Sequence, residues 1–63
     1  MCESTAYLMD GGNKVKVLDD VARVTMDGDR ATIVSMMGER KVLDRVRVKL
    51  IDQTGGSIIL ETI

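Results

Sequence analysis

No histidine, proline, phenylalanine or tryptophan occurs among the 63 residues, and cysteine and tyrosine occur once each. Each absence removes a class of chemistry. Without histidine there is no serine–histidine or cysteine–histidine catalytic pair, no zinc finger and no imidazole cage for a metal. A single cysteine, Cys2, cannot close an intrachain disulfide. With Tyr7 as the only aromatic ring, single-stranded nucleic acid finds no row of rings on which to stack its bases. No apolar run approaches the ~20 residues of a membrane span, and the amino-terminal stretch lacks the basic and apolar regions of a signal peptide. A cytoplasmic, thiol-reducing setting is therefore expected. No recognisable motif poises a general base, so an enzyme is not expected.

Charge and size narrow the classes further. Nine Lys plus Arg stand against ten Asp plus Glu, a formal charge of −1, which is not the balance of a chain built to neutralise phosphates. Residues 1–63 make one small domain, in a size range where a single apolar core rarely supplies more than ~3–5 kcal/mol. With no disulfide and no closed four-ligand metal site to help, a homodimer is the expected source of extra buried surface.

What the chain does contain is alternation punctuated by turns, the pattern of an all-β protein. Residues 3–9 form a first strand, with Thr5, Tyr7 and Met9 on one face and Ala6 and Leu8 on the other; Asp10-Gly11-Gly12-Asn13 turns the chain. Lys14-Val15-Lys16-Val17 places both valines inward and both lysines in water. Leu18-Asp19-Asp20-Val21 breaks the alternation and predicts a corner. Ala22, Val24 and Met26 then form an inward row opposite Arg23 and Thr25, closed by Asp27-Gly28-Asp29. Residues 31–36 have no polar face, which predicts a strand that is central or covered by a partner. After Met37-Gly38-Glu39 come Arg40-Lys41-Val42-Leu43 and then residues 44–52, where Val46, Val48 and Leu50 alternate with Arg45, Arg47 and Lys49. Gln53-Thr54-Gly55-Gly56 is the last turn, and residues 57–61 the last strand, with Ile58 and Leu60 facing opposite to Ile59. Six to seven short strands result. A meander curling into a small antiparallel β-barrel would remove most exposed edges, and that architecture is predicted.

The chemistry-bearing residues are few. Asp19-Asp20 and Asp27-Gly28-Asp29 lack the spacing of a calcium loop and are assigned to turns. The glycines lie in turns, with no strand-to-helix pattern that would cradle a phosphate. Met9, Met26, Met36 and Met37 are assigned as gap-fillers of the barrel rather than thioether ligands. Glu3 reads as a solvated carboxylate at a strand start, with a supporting role beside the thiol as the alternative. Cys2 remains. If Met1 is removed, its amine, thiolate and following amide nitrogen can close five-membered chelate rings, a ligand set for a square-planar ion.

Met1-Cys2, the Ala6-Tyr7-Leu8 strand, the Asp20-Val21 corner, Met36-Met37-Gly38-Glu39 and the closing Ile58-Ile59-Leu60-Glu61 together resemble the CooT family over essentially the full length. An aromatic side chain often stands in that family where Met37 is, a departure that touches loop packing alone. The resemblance implies a homodimeric β-barrel that binds nickel(II), with Cys2 as the metal ligand and a role in the maturation of carbon monoxide dehydrogenase. Two Cys2 residues meeting across a twofold would complete a four-coordinate set of two thiolates and two nitrogens, about one metal per dimer. By the usual divalent affinity order copper(II) would bind at least as well, which leaves selectivity to supply and delivery.

Two other functions remain open at the level of sequence. The stripe Arg45, Arg47 and Lys49, joined by Arg40 and Lys41, is a candidate RNA-binding face, although Asp44 and Asp52 flank it and nucleic acid is not the favoured partner. The two-sided apolar strand at 31–36 is equally compatible with an interaction module that holds no ligand.

Overall fold

The computed structural model describes residues 4–63. Seven strands follow one another: β1 (Thr5–Asp10), β2 (Asn13–Leu18), β3 (Val21–Asp27), β4 (Arg30–Ser35), β5 (Arg40–Leu43), β6 (Val46–Asp52) and β7 (Ser57–Thr62). No helix occurs among the described residues, hence none long and apolar enough to cross a membrane. The predicted turns hold. Gly11 and Gly12 both take positive φ, 59° and 90°, as a two-residue hairpin loop of mirror-image twist demands. At the last turn the Asp52 carboxylate accepts from the amides of Thr54 and Gly55, at 3.0 and 3.1 Å, so a side chain supplies the acceptor that the backbone lacks there.

The strands form two sheets, ordered β2-β1-β7-β6 and β3-β4-β5, and neither closes into a barrel. This corrects the expected closed meander in two respects. β7 lies beside β1 in parallel, with Ala6 opposite Ile58 and Leu8 opposite Leu60. Burial explains the insertion, because β7 is apolar on both faces at Ile58, Ile59 and Leu60, all buried or half-buried, and such a strand belongs inside a sheet. The chain also crosses between sheets at two abrupt corners. Asp20 and Arg45 adopt left-handed conformations, φ 53° and 58°, and continuous ladders end there. Single backbone bonds stitch the sheets instead, from Val21 N to Ser4 O (2.8 Å) and from Val46 N to Asp29 O (2.9 Å).

The core consists of Ala6, Leu18, Ala31, Ile33, Val46 and Leu60, with Leu8, Val17, Val21, Val24 and Leu43 packed around it. Full burial of the larger members stabilises by ~1.5–3 kcal/mol each. As expected, β4 is central in its sheet, with Ala31 and Ile33 fully buried. Three β-bulges shift the remaining expectations. One between Val21 and Arg23 takes Ala22 out of the inward row and puts Val21 in it. One between Val48 and Leu50 sends Leu50 to the outer face and turns Ile51 inward. The third, between Ala6 and Tyr7, falls where β2 pairs with β1. Val15, predicted to be inward, does share a face with Leu8 but lies on the edge strand and is 53% exposed.

Candidate functional site

Cys2, the predicted metal ligand, lies with Met1 and Glu3 outside the described residues. What the fold defines is the platform from which that segment departs. Ser4, two residues along the chain from the thiol, accepts the Val21 amide, and the next residue, Thr5, donates its amide to Gly56 O at 2.8 Å. The Asp20 carbonyl on the same corner accepts from Met36 N at 2.7 Å. Three segments distant in sequence, the β2–β3 corner, the β4–β5 turn and the β6–β7 turn, are thus tied by backbone bonds beside the start of β1.

The β4–β5 turn owes its shape to Ser35. Its buried hydroxyl accepts from the amides of Met37 (3.2 Å) and Glu39 (3.0 Å), while its own amide donates to Glu39 O at 2.8 Å. Gly38 completes the turn with φ 92°. The consequence corrects the assignment of the methionines: Met36 and Met37 fill no gap in a core but stand 68% and 85% exposed. Next to the platform, the Thr5 hydroxyl and the Lys16 ammonium both reach Asp19, at 3.3 and 2.8 Å. The hydrogen bond from Lys16 holds the Asp19 carboxyl below its ordinary value, and the same bond raises the Lys16 ammonium. Both groups are in solvent, so the pair is a modest, salt-screened contact.

Ser4 also forms the rim of a groove of about 340 Å³. The groove opens between β3 and β6, the facing edges of the two sheets, over Val21, Val24, Met26, Val48, Ile51 and Ile58. By register those six side chains point to the interior, yet Met26 and Val48 are each 37% exposed and Ile51 59%. Arg23 and Asp52 bring one charge of each sign to its walls. Sequence alternation hid two of these six side chains, because Val21 and Ile51 face inward only by virtue of the bulges.

The cations of the candidate RNA face do not form one surface. Arg47 on β6 donates to Glu61 of neighbouring β7 at 2.8 Å, Lys49 occupies the register shift, and Arg45 forms the corner. Arg40 and Lys41 belong to β5, in the other sheet. Asp44, expected to balance the stripe, instead receives Arg30 at 2.8 Å. The lone ring, Tyr7, is covered by the Lys14 ammonium at 4.3 Å from its centroid. Among the described residues, no three Cys, Asp or Glu side chains gather into a group able to hold a metal.

The family model described as CO dehydrogenase accessory protein CooT matches residues 1–61. Among solved structures, the crystal structure of a protein from Carboxydothermus hydrogenoformans assigned to CooT superposes with a TM-score of 0.86 at 22% identity, covering 98% of each chain. At that identity the likeness speaks for the fold. No curated protein sequence matches significantly.

Proposed function

The chain belongs to the CooT family of CO dehydrogenase accessory proteins, and from that premise we propose that it binds nickel(II) through Cys2 and delivers or buffers it for a nickel enzyme. It is an accessory protein, not itself an enzyme. One observation carries the nickel reading: the family match over residues 1–61 takes in the only thiol of the chain, in a sequence that has no histidine. Nickel is cargo here. The thiol must lose its proton to bind, so affinity falls as pH falls.

One cysteine offers part of a coordination shell, and a second copy of the chain would supply the rest. The protein then acts as a homodimer of residues 1–63 in the cytoplasm, with about one nickel per two chains. Transfer to an acceptor, carbon monoxide dehydrogenase or its maturation machinery, proceeds by ligand exchange: an incoming thiolate displaces the Cys2 thiolate and needs no catalysis by the carrier.

A nickel titration of the Met1-processed protein, followed by ultraviolet-visible absorption and native mass spectrometry, tests this. The expected result is a thiolate charge-transfer band saturating near one metal per two chains, absent in Cys2→Ser and retained in Arg47→Glu. Equal nickel affinity in Cys2→Ser and the parent would refute the assignment.

A further inference from the structure

We propose that the outer face of the four-stranded sheet docks an extended acidic segment of a partner protein, one that carries an apolar side chain between two carboxylates. The proposal is independent of the metal reading and uses no residue of the amino-terminal segment.

In a fold of two packed sheets, the face turned away from the core is ordinarily polar. Here its centre is apolar. Register sets Tyr7 of β1, Ile59 of β7 and Leu50 of β6 in one row across the sheet, on the side opposite to the core residues Ala6, Val46 and Leu60, with Met9 of β1 in the next row. Tyr7, Met9 and Ile59 are half-buried and Leu50 is 48% exposed. Leu50 reaches this row only through the β-bulge that follows Val48, since plain alternation would have turned it to the core. A bulge that moves a leucine from core to solvent gains nothing inside the chain. Contiguous apolar side chains on an open face mark an interaction surface where scattered ones do not.

Charge selects the occupant. Lys16 and Lys14 stand opposite Tyr7 and Met9 on β2, one edge of the sheet, while Arg47 and Lys49 stand on β6, the other edge. The acids nearby are already engaged: Glu61 receives Arg47 and Asp19 receives Lys16, both at 2.8 Å. Among the described residues Lys14 and Lys49 make no ion pair. The Lys14 ammonium lies 4.3 Å from the Tyr7 centroid, at the margin of the apolar platform. Three inter-strand spacings separate β2 from β6, about 14 Å, which is the length of about four residues of extended chain. A segment laid across the strands, acidic at its first and fifth positions and apolar at its third, therefore turns all three side chains toward the sheet. Each carboxylate meets an edge cation, and the apolar side chain meets Tyr7, Ile59 and Leu50. Nucleic acid fits less well, because it carries charge at every step across the apolar middle and finds a single ring for stacking.

A nuclear magnetic resonance titration of the isotope-labelled full chain tests the proposal. The probes are a peptide with leucine flanked two residues away on each side by aspartate, serine filling the gaps, the same residues reordered so that the aspartates adjoin, and oligouridylate. The first peptide is expected to give saturable shifts at the amides of Tyr7, Met9, Leu50 and Ile59. Leu50→Glu should weaken its binding at least about tenfold, and Lys49→Glu should weaken it by a margin that shrinks at high salt. Val42→Glu, on the other sheet at a side chain 51% exposed, should change nothing. If Leu50→Glu does not fold, Lys49→Glu carries the decision.

Four unmoved amides, or equal binding of the reordered peptide, would overturn the proposal. Shifts of those amides with oligouridylate but not with the peptide would give the face to nucleic acid, and shifts with protein concentration alone would give it to a second copy. Either result also overturns it.

Discussion

Ile33 on β4 and Ile51 on β6 are the same side chain, both directed inward by register, and their surroundings are opposite. Ile33 is wholly buried, since β4 has a strand on each side and the other sheet above it. Ile51 is 59% exposed, since β6 is an edge strand and the groove that Ile51 lines is bounded on its other side by β3, an edge too. Burial in this fold is therefore decided by a strand's place in its sheet more than by the direction of its side chains. One flank is sealed within the chain; the other is left open along the groove.

Alanine at the two isoleucines should break the comparison open. Ile33→Ala is expected to cost about 2–5 kcal/mol of unfolding free energy, the range for truncating a buried aliphatic side chain, at any protein concentration. Ser35→Ala, also on the sealed flank, removes the hydroxyl that holds the amides of Met37 and Glu39. It should cost about 1–2 kcal/mol and speed hydrogen exchange at those two amides. Ile51→Ala should cost less than about 0.5 kcal/mol, a difference from Ile33→Ala that thermal melting of the two variants will show.

The smallest effect concerns pH. Asp19 is held below its ordinary 3.8, so its contribution is present above that value and fades as pH falls through its lowered folded value. Lys16 is raised above 10.5, so its contribution is full below that value and fades as pH rises through its folded value. Stability should be flat with respect to this pair between those limits. Asp19→Asn should remove the pair's share of the slopes at both ends, and molar salt should hide the difference.

Much of the fold was legible in the residues because its rules are local. The Gly11-Gly12 loop, the Asp52 turn and the central character of β4 follow from turn chemistry and two-sided hydrophobicity. Bulges are not legible that way, since an inserted residue leaves no mark of composition. Ala22 and Leu50 accordingly exchanged places with Val21 and Ile51. Nor is the β1–β7 pairing, which depends on contacts between segments some fifty residues apart. At the candidate site the inventory singled out Cys2, whereas Ser35 carried no signal as a turn-former because its function depends on being buried at the end of a strand.

The parallel seam between β1 and β7 has a consequence for the order of events on the ribosome. β1 is made first of the seven strands and has only β2 for company until Ser57–Thr62 emerge, and a lone hairpin is marginal in water. The half of the molecule that anchors the thiol-bearing segment is thus the last to be finished.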